Sequence, residues 1–160
     1  MDTYELNFDF STAGLSTVLP SLAEQPQLQD LPTAPPRGRV LILEDDPLQL
    51  QLLEQHLKSV GFEVVATSTV SQAQLRLSQP GIQLAILDVQ LPDGCGFELC
   101  EQIDNDPAHT GLPVVVLSSL SEAGAVRKTR ASGGRYFLSK PYDPNVLLAI
   151  IERALDDRIS

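Results

Sequence analysis

The stretch LAILDVQLPDG, residues 84–94, decides how the rest of the chain is read. Leu84-Ala85-Ile86-Leu87 is an unbroken apolar run, suited to a strand buried on both faces. It ends on a carboxylate, Asp88, and the chain then turns at Leu91-Pro92-Asp93-Gly94. Burying the edge of a charge is costly unless something compensates it. The compensating groups must therefore come from elsewhere in the sequence.

Similar runs recur on both sides of this one. Val40–Leu43, Glu63–Ala66, Gln83–Leu87, Pro113–Leu117 and Tyr136–Leu138 read as five short strands. Helical patterns separate them. Asp46-Pro47 reads as N-cap and first turn of a helix carrying Leu50, Leu53, Leu57 and Val60, stopped by Gly61. Val70, Ala73 and Leu77 mark a second helix, Phe97–Ile103 a third, and Glu122–Ser132 a polar fourth closed by Gly133-Gly134. Asp143-Pro144 opens a last helix with Val146, Leu147, Ile150, Ile151 and Leu155. Five β-α units with aliphatic, non-alternating strands predict an α/β fold: a parallel sheet covered by helices on both faces.

Residues 1–38 differ in kind. They hold five of the 12 prolines and five carboxylates against one base, Arg37, with no sustained apolar periodicity. They read as a disordered acidic tail and linker, with the folded domain spanning 39–160. The alternation of Tyr4, Leu6, Phe8 and Phe10 would suit strand addition to a partner, but composition favours an unstructured leader.

The bulk numbers exclude several classes. Net charge is −10 over 160 residues, which disfavours nonspecific contact with nucleic acid or anionic lipid. No run of 18 apolar residues suggests membrane insertion, and the acidic N-terminus lacks the basic region of a signal peptide; a cytoplasmic location is expected. Cys95 and Cys100 are too few for a disulfide framework and read as reduced thiols. His56 and His109 have no ligand-spaced companions.

In a parallel α/β sheet the carboxyl ends of the strands share one edge, where ligands bind. After the first strand come Glu44, Asp45 and Asp46; after the third, Asp88; after the fourth, Ser118 and Ser119; after the fifth, Lys140-Pro141. Asp46, before a proline, is better explained as a cap than as a ligand. Carboxylates 4 Å apart repel by about 4 kcal/mol at an effective dielectric near 20. A divalent cation and one lysine would relieve this. Oxygen-only donors favour magnesium, manganese or calcium, and magnesium suits a site that also admits a phosphoryl group. In this reading Asp88 attacks a phosphoryl group, Asp45 and Asp88 hold the metal with help from Glu44, and Lys140 and Ser118 contact the remaining oxygens.

The motifs VLILEDD (40–46), LDVQLPDGCG (87–96), VLSS (116–119) and LSKPY (138–142), in this order, resemble the receiver domain of two-component response regulators, chemotaxis regulators among them. The resemblance covers roughly residues 39–158. It implies a three-layer flavodoxin-like (βα)5 fold with strand order 2-1-3-4-5. It implies Asp88 as phosphoacceptor and Glu44 and Asp45 as metal-binding acids. It further implies the Gln90 backbone carbonyl as a metal ligand, Ser118 and Phe137 as the switch pair, Lys140 as the site lysine, and a cis bond to Pro141. Mg2+ is the implied cofactor, with Mn2+ as a substitute. A sensor histidine kinase or phosphotransfer protein is the implied donor, and a downstream protein the implied target of a shifting α4-β5-α5 surface. Such a chain phosphorylates and dephosphorylates itself without turning over external substrates. A homodimer stays open.

The sequence also departs from the family pattern. Cys95 stands where many relatives carry Asp, Ser119 replaces a common Ala, and Phe137 lacks the tyrosine hydroxyl. Gln90 and Leu120 fall where the family tunes acyl-phosphate hydrolysis. Arg127, Lys128, Arg130 and Arg135 form a basic run that suits either solvent or an acidic partner. Two other readings compete. A pseudo-receiver acting without phosphorylation would lack an acceptor, metal acid or lysine, and none is missing. An Asp-nucleophile phosphatase would need a second Asp at position 90, which is Gln. No output domain is recognised after the last helix, so the domain is expected either to act through protein contacts or to be part of a longer regulator.

Overall fold

The computed structural model describes residues 34–119 and 122–159. The motif Tyr4–Phe10, most of the expected tail, and Leu120 lie outside the described residues. Pro35–Ser160 forms one compact unit.

Five parallel strands build the sheet: β1 (Arg39–Leu43), β2 (Glu63–Thr67), β3 (Leu84–Asp88), β4 (Val114–Ser118) and β5 (Tyr136–Ser139). Their order is β2-β1-β3-β4-β5, as the flavodoxin-like reading requires. Five helices connect and cover them: α1 (Pro47–Ser59), α2 (Val70–Leu77), α3 (Gly96–Asn105), α4 (Glu122–Ala131) and α5 (Pro144–Ile159).

The lack of alternation in the strands is explained by two separate cores. Val40 and Ile42 of β1 and Leu84 and Ile86 of β3 pack with Leu53 and Leu57 of α1 and Leu147 and Ile151 of α5. Leu41, Leu43, Ala85 and Leu87 face the other way, onto Ala73 and Leu77 of α2 and Leu99, Cys100 and Ile103 of α3. Successive side chains go to opposite faces, and here both faces are dry. The fourth helix is polar in sequence because its inner face is made of small groups: Ala125 and Thr129 are buried, as is Ser132 just past its end, with Thr129 Oγ1 donating to the Ala125 carbonyl at 2.8 Å.

Local signals act where expected. Asp46 caps α1 by accepting from the Gln49 N–H at 2.9 Å, with Pro47 in the first turn. Gly61 then takes φ +96°, which ends the helix. Most element boundaries differ from the sequence reading by a residue or two. The third strand begins at Leu84; at Gln83 the backbone N–H donates to the Arg39 carbonyl at 2.8 Å and the side chain accepts from the Arg39 N–H at 3.0 Å. Asp88 and Ser118 are the last residues of their strands, not the first beyond them. The turn at Leu91–Gly94 is a short antiparallel ribbon pairing Gln90 with Cys95 and Leu91 with Gly94.

Arg37, which the sequence reading placed in the linker, is tied to the domain. Its N–H donates to the Gly61 carbonyl, its guanidinium pairs with Glu152 of α5, and it lies 5.0 Å from the centre of the Phe62 ring.

Truncating the fully buried Ile151 to Ala is expected to cost about 2–5 kcal/mol in urea unfolding. Truncating Leu52, 58% exposed on α1, is expected to change stability by no more than about 0.5 kcal/mol.

Candidate functional site

Register brings the polar residues together. Leu43 of β1 sits beside Leu87 of β3, so the next residues, Glu44 and Asp88, emerge side by side. Asp88 pairs with Leu117 of β4, and Ser118 pairs with Ser139 of β5, so Lys140 leaves the sheet next to Ser118. The Lys140 N–H donates to the Ser118 carbonyl at 2.8 Å, and the Lys140–Pro141 bond is cis.

The Lys140 ammonium is the hub. It donates to Glu44 Oε2 at 2.5 Å, to Gln49 Oε1 at 3.0 Å and to Asp88 Oδ2 at 3.2 Å. All three of its hydrogens therefore have an acceptor. Glu44 is buried, and its other oxygen accepts from the Asp46 N–H at 3.2 Å. Asp88 is 8% exposed, and Oδ1 accepts weakly from the Gln90 N–H at 3.4 Å. Asp45 is exposed at the mouth.

Charge and burial pull in opposite directions here. Burial, foremost, and then the Asp88 charge raise the Glu44 carboxyl above 4.5, against the lowering effect of Lys140. Burial alone would lower the Lys140 ammonium, but the hydrogen bond to Glu44 and the charges of Asp88 and Glu44 together outweigh it, leaving it above 10.5.

Donor oxygens of Glu44, Asp45 and Asp88 lie within 4.8 Å of one another. Three carboxylates against one ammonium leave an excess of two negative charges, and an all-oxygen donor set suits a hard dication. Glu44 is more deeply buried than Asp88 and is held more closely by Lys140, at 2.5 Å against 3.2 Å, so Asp45 and Asp88 are the carboxylates best placed to bind directly. The residues fit Mg2+.

An open hollow of about 560 Å³ adjoins this cluster, lined by Asp45, Val89, Gln90, Cys95, Phe97 and Lys128. A larger one of about 800 Å³ lies at the amino edge of β3, among Leu77, Ile82, Ile103 and His109, and contains none of these acids.

The site residues read from sequence fall within the described residues. Glu44, Asp45, Asp88, Ser118 and Lys140 meet at one edge. Phe137 is partly buried and packs on the α2–α3 side of the sheet. Ser118 is completely buried. Two residues were not anticipated. Gln49, one turn into α1, is an acceptor for Lys140; only the closeness of α1's start to the site reveals it. Gly96 is the other: a Cβ there would stand 2.0 Å from the Asp88 carbonyl oxygen, so the backbone behind Asp88 tolerates nothing larger. The glycine pattern in GCG was the only hint.

These strands, this order and this acid–lysine cluster define a receiver-type α/β domain. A family model described as "Response regulator receiver domain" matches residues 40–152, and the chain belongs to that family. It is 34% identical to the transcriptional regulatory protein GltR of Pseudomonas aeruginosa, over 74% of this chain and 49% of that protein. The signal receiver domain of a histidine kinase from Syntrophus aciditrophicus superposes with TM-score 0.70 at 30% identity, covering 75% of this chain and 91% of that one. A two-component response regulator from Clostridium difficile gives TM-score 0.71 at 26% identity, covering 78% and 100%. The chain spans about half, or less, of the length of the curated relatives it matches.

Two predictions follow from this geometry. Lys140→Ala should destabilise the metal-free protein by about 3 kcal/mol at pH 7, since it strands a buried carboxylate. Lys140 holds the Glu44 carboxyl down against burial and the Asp88 charge, so in the folded variant Glu44 takes up its proton at higher pH than in the wild type, and the deficit should narrow as the pH falls toward 4.5 in denaturant titrations. Cys100 is fully buried, and burial chiefly pushes its thiol up to about 11; Cys95 is partly exposed. A thiol reagent at pH 8 should label Cys95 rapidly and Cys100 only on unfolding.

Proposed function

We propose that Asp88 accepts a phosphoryl group from a phosphohistidine of a sensor histidine kinase or phosphotransfer protein, and that the domain signals by the change this produces. The observation that carries the reading is the Lys140 ammonium held between Glu44 and Asp88, with Asp45 completing the acidic cluster at the sheet's carboxyl edge.

One Asp88 carboxylate oxygen attacks phosphorus in line with the donor nitrogen. The P–N bond breaks as the O–P bond forms, and the imidazole leaves with its electron pair and is then protonated. Asp45, Asp88 and the Gln90 carbonyl would hold Mg2+, assisted by Glu44; Mn2+ would substitute. When bound, the dication offsets negative charge on the phosphoryl oxygens. Lys140 exchanges its bond to the Asp88 carboxylate for one to a phosphoryl oxygen, and the Ser118 hydroxyl takes another. Hydrolysis of the acyl phosphate resets the domain; no external substrate is turned over.

Phosphorylation replaces the single charge of the Asp88 carboxylate with close to two on the acyl phosphate, at a site already carrying an excess. Ser118 and Lys140 bind that charge only in the phosphorylated state, which is the differential contact a population shift requires. Both belong to β4 and the end of β5, so their movement passes to Phe137 and the α4-β5-α5 surface. The output is a protein contact: a net charge of −10 opposes direct binding to nucleic-acid phosphates, and no described helix is long and apolar enough to cross a membrane.

Incubation with acetyl phosphate and Mg2+, followed by intact-mass measurement, should add one phosphoryl group, and Asp88→Asn should abolish it. An unchanged mass with several small donors and a cognate kinase would favour a pseudo-receiver instead.

A further inference from the structure

Helix α2 begins unusually. Its own cap, Thr69, accepts from the Gln72 N–H at 3.2 Å. The two N–H groups before that are satisfied by a residue more than twenty positions away. Asp93 Oδ1 accepts from the Val70 N–H at 2.9 Å, and Asp93 Oδ2 accepts from the Ser71 N–H and the Ser71 hydroxyl, each at 3.2 Å. One carboxylate thus supplies the helix start with a charge-assisted partner for each of two orphan donors.

A second contact ties the same places together. A Cβ on Gly94 would lie 3.1 Å from Val70 Cγ2, so the ribbon's backbone rests directly on the first side chain of α2. Asp93 and Gly94 form the far end of the ribbon whose near end is Gln90 paired with Cys95. The near end touches the site: the Gln90 N–H points at Asp88 Oδ1, and the Gly96 N–H donates to the Val89 carbonyl at 2.9 Å. Between Val89 and Gly96, Val89, Leu91 and Cys95 pack against the α2–α3 core, and the polar ties are the short ladder and Asp93. The carboxyl is kept below the usual range, chiefly by the Val70 N–H, so it is ionised and a strong acceptor at neutral pH.

We propose that Asp93 is a positioning residue for the metal site: by anchoring the Gln90–Cys95 ribbon to the start of α2, it sets where the Gln90 carbonyl stands beside Asp88. Asp93 touches neither metal nor phosphoryl group. It acts through the ribbon, as outer partners of metal ligands generally do. The coupling runs both ways, so metal binding at Asp88 also steadies the start of α2. This inference rests on the phosphoacceptor reading, because it assigns Gln90 a place in that site.

The test compares the full chain with Asp93→Ala, Asp93→Asn and Thr69→Ala. Mg2+ affinity is measured by calorimetry, and amide hydrogen exchange is followed over residues 90–95 without metal. Asp93→Ala should weaken Mg2+ binding about tenfold or more and speed exchange across the ribbon. Asp93→Asn keeps an acceptor oxygen for Val70 and should recover most of both. Thr69→Ala removes the cap belonging to α2 and should lower the melting temperature while leaving Mg2+ affinity and ribbon exchange at wild-type values. Wild-type affinity and exchange in Asp93→Ala would overturn the inference. So would an equal loss in Thr69→Ala, since that would mark plain destabilisation of α2. A wild-type chain that binds no Mg2+ would fail the phosphoacceptor reading itself, and this inference with it.

Discussion

One ammonium held between two buried carboxylates is the constraint on which the rest depends. Lys140 meets Glu44 and Asp88 only because β1, β3 and β5 end in phase at one edge of the sheet. A one-residue slip in any of these parallel pairs would send an alternate set of side chains to each core and pull the cluster apart. The two dry cores therefore do more than stabilise the domain. They fix the register that puts an acid, an acid and an amine in one place.

The cluster is also incompletely compensated. Three carboxylates share a single lysine, and burial, foremost, together with the Asp88 charge raises the Glu44 carboxyl. In the proposed function, a dication and then a phosphoryl group would change the balance of charge in turn, and each change would alter what Lys140 and Ser118 can bind. Gln49 extends the network into α1, so the first helix as well as the last strand senses the ammonium's position. Lys128 of α4 lines the hollow beside Asp45 and Gln90, placing part of the basic run seen in the sequence at the mouth of the site.

Much of this was legible in the residues alone. Leu41 and Leu43 alternate with Val40 and Ile42 without a polar face between them, which is the mark of a strand buried on both sides. Asp46-Pro47 announced the start of α1, and the acids after the first and third strands announced the edge. What escaped depends on distance in sequence. Nothing near Gln49 says that Lys140 will reach it, and Asp93 in LPDG reads locally as a turn residue. Its bonds to Val70 and Ser71 exist only once α2 is docked beside the ribbon. Gly96 looks like turn chemistry too, yet its requirement comes from the Asp88 carbonyl pressed against it.

The most direct test is a crystal structure of the chain grown with Mg2+ and beryllium fluoride, a stand-in for the phosphoryl group. The expected result is fluoroberyllate on Asp88, with Mg2+ about 2.1 Å from oxygens of Asp45, Asp88 and Gln90 and with Lys140 and Ser118 turned onto the fluorines. Beryllium on another side chain, or Mg2+ bound away from Asp45 and Asp88, would contradict it.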